Sequence, residues 1–274
     1  MKKALLINHH NPFDSGTVSH ILFNSHYSLT TINSIDIKYL KLSEIKSYNL
    51  VCIFGGRSSA NDTSTSIKSE FIFIEQLSKF KIPTIGICLG AQLIAKFYGS
   101  KINSNSLNNS EIGYYDVIDP NLKFFDKNSL TFMQFHNQGI SNHKSLEILG
   151  RGRFFDIDAF KIKNMPFFGF QFHPEVETQS ISRWYNSNNE KISKHKHKFS
   201  KILKDHESYN KTNYLWLKKN CLKFLLNMKI NFITDDEYLN HDTGPSHPEN
   251  IERYKVVKSL LDNSYSNHNF IKPR

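Results

Sequence analysis

The stretch that most constrains the fold of this chain is residues 85–93, Ile-Gly-Ile-Cys-Leu-Gly-Ala-Gln-Leu. A short apolar run enters a Gly-X-Cys-X-Gly turn and continues directly into a second apolar segment. Small neighbours allow a cysteine to occupy a sharp strand-to-helix turn, and a helix N-terminus favours the thiolate form. The stretch therefore predicts a buried strand, a tight turn at Cys88 and a helix. Taken alone, this turn fits a buried structural cysteine as well as a nucleophile.

Short apolar runs alternate with amphipathic segments along the first hundred residues. We expect strands at residues 4–7, 49–54 and 83–87, and helices at residues 66–80 and 91–98. Such alternation is typical of an α/β fold with a mostly parallel sheet flanked by helices.

The pattern changes after residue 113 to short strand-like stretches separated by Asn, Asp and Gly. The clearest of these stretches are residues 114–118, 131–136, 154–160 and 167–172. They predict antiparallel strands added at one side of the sheet. Residues 187–229 are polar and rich in lysine and end in apolar residues, so we expect one or two amphipathic helices that close the domain.

Composition limits the class of protein. Of 274 residues 39% are apolar, with 22 Phe and 12 Tyr, which is enough for a folded core. Cys52, Cys88 and Cys221 form no CxxC pair, as is typical of a reducing compartment. Without a signal peptide or an apolar run of roughly 20 residues, we expect a cytoplasmic protein with no membrane partner. The formal charge of +10 accompanies a general richness in Lys, Asn and Ile, so we expect no nucleic-acid partner.

A second motif, residues 168–175, Phe-Gly-Phe-Gln-Phe-His-Pro-Glu, supplies the groups that a thiol nucleophile needs. A base must accept the thiol proton and protonate a leaving amine, and a carboxylate must hold that base in one tautomer. His173 and Glu175 stand two residues apart after a predicted strand, and Pro174 restricts the backbone between them. Together with Cys88 they predict a Cys-His-Glu triad.

The two motifs resemble those of the class I glutamine amidotransferases. Residues 86–92 resemble the nucleophile motif of that family almost residue for residue, and residues 171–175 resemble its His/Glu motif. The resemblance covers about residues 3–185 and implies a three-layer, flavodoxin-like α/β fold. Residues 111–114, Glu-Ile-Gly-Tyr, and 134–136, Gln-Phe-His, resemble the standalone members most similar to the amidotransferase domain of GMP synthetase.

The same resemblance implies roles for residues around the triad. Gly55 and Gly56 follow a predicted strand where the family places its oxyanion loop. Their N–H groups, with that of Leu89, would stabilise a tetrahedral oxyanion. Gln92 matches a residue that helps to hold the substrate glutamine, and we expect His136 near the mouth of the substrate pocket. The resemblance implies neither a metal nor a cofactor.

Two departures from the family pattern bear on function. Residues 57–62, Arg-Ser-Ser-Ala-Asn-Asp, stand where many members have a Pro-rich oxyanion turn, so the pattern leaves the identity of the oxyanion donors open. The chain also lacks the Ser-Gly-Gly-X-Asp-Ser pyrophosphatase loop of a fused GMP synthetase. Ammonia for an acceptor would therefore pass to a separate synthetase chain.

A different resemblance begins at residues 237–253, which are similar to the opening segment of the histone deacetylase and acetylpolyamine amidohydrolase family. The zinc ligands of that family lie farther downstream, so we do not interpret His241 and His247 as a zinc site. We predict an amidotransferase domain at residues 1–230, with the helices of residues 187–229 at its end. Residues 231–274 would be a truncated, poorly ordered deacetylase-like segment.

The resemblance is compatible with three functions. The first is hydrolysis of the glutamine side-chain amide through a γ-glutamyl thioester on Cys88, with ammonia released for a separate synthetase. The second is a standalone hydrolase of γ-glutamyl peptides or amines that uses the same triad. The third is a non-catalytic regulatory subunit on the same scaffold. The triad cannot separate the first two, because both reactions pass through the same thioester.

Overall fold

In the residues that the structure describes, the fold comprises thirteen strands and six α-helices. The computed structural model describes residues 1–104, 110–121, 124–125, 127–186, 198–226, 231–233 and 269–271. The strands are β1 (Lys2–Asn8), β2 (Tyr27–Asn33), β3 (Leu50–Ile53), β4 (Thr84–Ile87), β5 (Ile102–Asn103), β6 (Glu111–Ile118), β7 (Ser129–His136), β8 (Gly139–Ile140), β9 (Leu146–Gly150), β10 (Ala159–Ile162), β11 (Phe167–Phe170), β12 (Asn231–Ile233) and β13 (Asn269–Ile271). The helices are α1 (Gly16–Asn24), α2 (Leu42–Ile45), α3 (Thr65–Lys79), α4 (Leu89–Phe97), α5 (Thr178–Asn186) and α6 (Phe199–Leu226).

A seven-stranded sheet with the order β2-β1-β3-β4-β11-β10-β9 forms the centre of the molecule. Its first five strands run parallel, and β10 and β9 are added antiparallel at one edge. The central strands β3, β4 and β11 are buried along their whole length, because helices cover both faces of a parallel sheet. The predicted fold class, a mostly parallel sheet flanked by helices with added antiparallel strands, is confirmed.

Apolar spacing explains the helices that pack on this sheet. In α3, Ile67, Ile74 and Leu77 are buried at helical spacing, and the side chain of Ser64 caps the helix by accepting a hydrogen bond from the Ile67 N–H over 3.3 Å. In α4, which follows Cys88, the segment from residue 89 to 95 is buried throughout. This helix is enclosed by the protein, so the turn that precedes it is held rigidly.

A second apolar cluster lies outside the main sheet. The hairpin of β6 and β7 packs with α5 and the start of α6 through the buried residues Ile112, Met133, Val176, Ile181, Tyr185 and Ile202. Farther along α6, the indole of Trp216 packs against Phe132 and Phe172, with ring centres 4.9 and 5.7 Å apart. The predicted helix near the end of the domain is present as α6, and it covers aromatic side chains of the hairpin and of the segment after β11.

Sequence reasoning was wrong in part about the strands of this region. Of the predicted strand at residues 154–160, only residues 159 and 160 belong to a strand of the structure. The segment before them is irregular: the Asp158 N–H donates to the Gly150 carbonyl, and the Asp158 carbonyl accepts from the Gln171 N–H, outside a regular ladder. Strand β2, whose residues are mostly half-buried, and strand β9 were not predicted. Both lie at the edges of the sheet, where the apolar pattern is weakest.

The chain divides into two compact units, Met1–Leu222 and Lys223–Arg274. In the second unit, β12 and β13 pair in parallel through identical Asn-Phe-Ile triplets. The predicted deacetylase-like segment, residues 237–253, lies outside the described residues, as do residues 187–197, and both stay predictions. Within the described ranges, no helix has the length and apolar character that crossing a bilayer requires.

Candidate active site

Cys88 lies at the junction of β4 and α4. Its backbone φ of 51° falls in the left-handed region that residues other than glycine rarely adopt. The flanking glycines allow this turn: a Cβ on Gly86 would lie 2.6 Å from the Ala91 nitrogen, and one on Gly90 would lie 2.1 Å from the Ile53 carbonyl oxygen. The turn holds the thiol at the carboxyl end of the parallel strands and at the N-terminus of a helix.

The segment that follows β11 brings His173 and Glu175 together. His173 Nδ1 lies 2.9 Å from Glu175 Oε1, and both side chains are buried. The His173 N–H donates to the Met133 carbonyl over 2.8 Å, and the Thr17 N–H donates to the Glu175 carbonyl over 2.9 Å. The Trp184 ring packs edge-on against the imidazole at 5.0 Å. These contacts fix the imidazole with Nδ1 toward the carboxylate.

The charges around His173 favour its imidazolium form. Burial alone lowers the pKa of His173, because it penalises the charged form. The negative charges of Glu175 and of a Cys88 thiolate, together with the hydrogen bond to Glu175, outweigh burial and raise the pKa of His173 to about 10. Since Glu175 engages Nδ1, Nε2 is the ring nitrogen left for Cys88. An imidazolium between two anions is an arrangement that activates a thiol.

The glycine pair after β3 lies against these side chains. A Cβ on Gly55 would lie 2.9 Å from His173 Cε1 and 3.4 Å from Cys88 Cβ, and one on Gly56 would lie 2.9 Å from Leu89 Cδ2. All five residues line one cavity. The positions predicted for the nucleophile, the base and the oxyanion donors are therefore neighbours in space.

The loop at residues 57–62 is held by side-chain hydrogen bonds. Lys96 Nζ, on α4, donates to the Ala60 carbonyl over 2.9 Å. Ser59 Oγ donates to Gln138 Oε1 over 2.7 Å. The loop is therefore attached to α4 and to the segment before β8.

Three glutamines connect the wall of the cavity to the thiol. Gln92 Nε2 donates to the Gln138 carbonyl over 3.0 Å and to Gln171 Oε1 over 3.1 Å. Gln171 Nε2 donates to Cys88 Sγ over 3.8 Å. Because both N–H groups of Gln92 are engaged, its Oε1 is the atom available to accept from a ligand. Gln92 lines the cavity, and its part in substrate binding stays a prediction.

His136 lines the same cavity, and on its other side it lies near two buried acidic residues, Glu111 and Asp158. His136 Nδ1 lies 2.9 Å from the Gln138 carbonyl, and Nε2 lies 3.0 Å from Gln134 Oε1 and 3.1 Å from Glu111 Oε2. Gln134 Nε2 donates to Asp158 Oδ2 over 2.6 Å. Glu111 and Asp158 are both 0% exposed. His136 therefore has polar partners on both ring nitrogens and is held in place.

Within the part of the chain that the structure describes, Glu111, His136 and Asp158 form one group that could hold a metal ion, with ligand atoms within 4.8 Å of one another. Gln134 lies among them and bonds to His136 and Asp158, so hydrogen bonds already join the group. Burial, followed by the charge of Glu111, raises the pKa of Asp158 well above its ordinary value and favours its neutral form. We interpret the group as a hydrogen-bonded network and assign it no metal.

The cavity in front of Cys88 has a volume of about 410 Å³. Besides the residues above, it is lined by Asp14, Arg183 and Trp184. Arg183 Nη2 lies 2.9 Å from Asp14 Oδ2, so charges of both signs border the cavity. Its volume lies within the range of roughly 300–1,000 Å³ that is usual for small-molecule sites.

Residues 12–189 match the family described as glutamine amidotransferase class-I. The match includes the cysteine turn and the His-Pro-Glu segment, and it spans more than half of the chain. This chain belongs to the class I glutamine amidotransferase family.

Individual relatives agree with the family match. A subunit of the glutamine-hydrolyzing GMP synthase of Pyrococcus abyssi is 30% identical over 138 residues, which cover 49% of this chain and 71% of that protein. The corresponding subunit from Methanobrevibacter smithii is 33% identical over 140 residues, which cover 50% of this chain and 70% of that protein. A glutamine amidotransferase from Thermotoga maritima has a crystal structure with a TM-score of 0.72 at 26% identity, covering 82% of this chain and 98% of that one.

Sequence reasoning missed several residues of the site. Gln171 lies within the His-Pro-Glu motif, two residues before His173, but the sequence does not show that its amide faces the thiol. Asp158 and Trp184 reach the site region only through sheet pairing and helix packing. Lys96 stands on the predicted helix, where a lysine most often faces solvent. None of these residues carries a local signal that separates it from its neighbours.

Proposed function

We propose that this protein hydrolyses the side-chain amide of glutamine and releases ammonia for a separate synthetase. Cys88 Sγ, as the thiolate whose proton is held by His173, forms a bond to the amide carbon while the carbonyl electrons move onto the oxygen. His173 then gives a proton to the departing nitrogen, the C–N bond breaks and a γ-glutamyl thioester remains. Water, deprotonated by His173, attacks the thioester, and the C–S bond breaks to yield glutamate and the free thiol. Glu175 orients the imidazole throughout.

The observation that carries this proposal is the convergence of Cys88, His173 and Glu175 at the glycine pair after β3. A thiol on a strained turn, an imidazole held by a carboxylate and backbone N–H groups beside the reacting carbon are the parts that acyl transfer requires. Gly55 and Gly56, with Leu89, supply the oxyanion donors in this proposal. No step needs a metal or a cofactor.

A separate partner is proposed from the relatives. The proteins from Pyrococcus abyssi and Methanobrevibacter smithii are each named as one subunit of a glutamine-hydrolyzing GMP synthase. We therefore expect the ammonia acceptor to be bound by another chain. We expect neither nucleic acid nor a membrane as partner.

The second candidate is a hydrolase of γ-glutamyl amines or peptides. The observation in its favour is the extension of the cavity to Asp14, Arg183 and Trp184, which offers space and charge for a substituent on the amide nitrogen. The chemistry at Cys88 is the same in both candidates. Only the leaving group differs.

The test is glutamate release from glutamine and from a panel of γ-glutamyl amines and peptides. We expect the wild-type protein to act on glutamine and the Cys88→Ala variant to be inactive. Cys52→Ala is the matched control: Cys52 is buried in β3 away from the turn, and this variant should keep the activity. Release only from the amines or peptides would favour the second candidate. No release from any compound, and no labelling of Cys88 by a glutamine-analogue electrophile, would favour a non-catalytic role.

A further inference from the structure

We infer that Gln171 donates an N–H to the Cys88 sulfur and favours its thiolate form, acting as a further catalytic residue beside the triad. This inference rests on the proposed function, in which Cys88 is the nucleophile. Gln171 is completely buried, and its Nε2 lies 3.8 Å from Cys88 Sγ. That distance suits a hydrogen bond to the large sulfur atom.

The orientation of the Gln171 amide follows from the backbone carbonyl of Gln138, which can only accept hydrogen bonds. A carbonyl oxygen only accepts hydrogen bonds, so the group of Gln92 that faces the Gln138 carbonyl must be its NH₂. The second N–H of Gln92 is directed at Gln171, so the oxygen of Gln171 must face Gln92. The NH₂ of Gln171 is consequently left facing Cys88. The opposite orientation would place two N–H groups against each other.

Gln138, whose carbonyl sets the orientation of the Gln92 amide, is itself held by further hydrogen bonds. The Gln138 carbonyl also accepts from His136 Nδ1, and Gln138 Oε1 accepts from Ser59. The Gln171 N–H donates to the Asp158 carbonyl over 2.7 Å, which fixes its backbone. Gln92, Gln171 and His136 are buried, and reversing either amide would break this chain of hydrogen bonds. The donor is held at the sulfur before any substrate binds.

A fixed donor of this kind acts on the two forms of the thiol differently. A hydrogen bond to a charged acceptor is stronger than one to a neutral acceptor, so the N–H of Gln171 stabilises the thiolate more than the thiol. His173 lines the same cavity as Cys88 and is the charged partner of the thiol in the proposed function. Gln171 thus supplies a second donor that carries no charge and does not take part in proton transfer.

The experiment is the pH dependence of Cys88 alkylation by iodoacetamide, measured in the full chain without substrate. Gln171→Leu removes the donor, and Gln171→Glu places a carboxylate of the same shape against the sulfur. We expect the alkylation profile to move to higher pH in both variants, farther in Gln171→Glu, and the rate at pH 7 to fall about tenfold or more. The control is Gln179→Glu, which makes the same chemical change at an exposed position on α5 and should keep the wild-type alkylation profile.

The outcomes separate this inference from the proposed function. Alkylation is assigned to Cys88 by subtracting the Cys88→Ala variant, and circular dichroism establishes that each variant is folded. Folded Gln171 variants with an unchanged alkylation profile would overturn the inference, even if turnover falls. If the wild-type protein releases no glutamate while the profile still shifts, the proposed function fails and the donor role stands.

Discussion

At the scale of single residues, the imidazole of His173 links stability to pH. Its pKa in the folded protein, about 10, is above the ordinary value of 6.5, so the stabilisation that it brings is complete below pH 6.5 and is lost as the pH rises toward 10. The difference in free energy of unfolding between the wild-type protein and His173→Gln should therefore shrink by up to about 1.4 kcal/mol per pH unit as the pH rises from 6.5 toward 10. Urea unfolding at pH 7 and pH 9.5 measures this difference. A difference that stays constant over this range would contradict the proposed charge arrangement.

The buried carboxyl of Asp158, in contrast to the imidazole of His173, should lower the free energy of unfolding at neutral pH. Its Oδ1 is buried and has no hydrogen-bond partner among the described residues, and its raised pKa means that stability falls as the pH rises above about 3.8. Asp158→Asn replaces an ionisable oxygen by an amide N–H near Glu111. We expect this variant to be more stable than wild type at pH 7 by about 1 kcal/mol or more, with a smaller difference at pH 4. Equal urea midpoints at both values would contradict this account.

At the scale of elements, the turn from β4 into α4 depends on glycine for folding rather than for chemistry. A Cβ on Gly90 would lie 2.1 Å from the Ile53 carbonyl oxygen, which is a backbone atom that cannot move aside. We expect Gly90→Ala to lower the free energy of unfolding by about 3 kcal/mol or more and to remove activity together with the fold. Thermal unfolding followed by circular dichroism measures the loss. Cys88→Ala serves as the control that is inactive but folded, and a stable Gly90→Ala variant would show that α4 can shift.

The sequence allowed the central elements to be predicted, and the reason is physical. Strands such as β4 are buried on both faces and read as continuous apolar runs, and the glycines around Cys88 mark a turn that few other residues allow. The edge strands β2 and β9 could not be found, because half-buried strands carry polar residues that also suit loops. The network from Asp158 to Gln171 was missed for a different reason. Its links join residues up to 79 positions apart, and only the assembled sheet brings them together.

At the scale of the whole molecule, the cavity belongs to one part of the chain. Every residue that lines it lies in the unit Met1–Leu222. A chain that ends at residue 230 should therefore keep glutaminase activity within about twofold of the full chain. Loss of activity in this shorter protein, with its circular dichroism spectrum retained, would assign a functional role to the last 44 residues.

Helix α6 is required by the same unit for a different reason. Trp216 is 5% exposed and packs against Phe132, Phe170 and Phe172. Trp216→Ala should cost about 3–5 kcal/mol of the free energy of unfolding, because it removes a large buried ring and leaves a cavity. The exposed Leu215→Ala, on the same helix, should change it by less than about 0.5 kcal/mol. Urea unfolding of both variants compares them, and similar losses would mean that α6 contributes through helix propensity alone.

The most direct test of the central claim is to trap the covalent intermediate on Cys88. The protein is mixed with glutamine, quenched in acid within the first turnovers and digested, and the cysteine peptides are examined by mass spectrometry. Our account predicts a glutamyl group on the peptide that contains Cys88, none on the peptide that contains Cys52, and none in the His173→Gln variant, which cannot activate the thiol. A second assay adds hydroxylamine, which converts a γ-glutamyl thioester into a γ-glutamyl hydroxamate. The account would be contradicted if the wild-type protein released glutamate but showed no glutamyl group on Cys88 at any quench time and formed no hydroxamate.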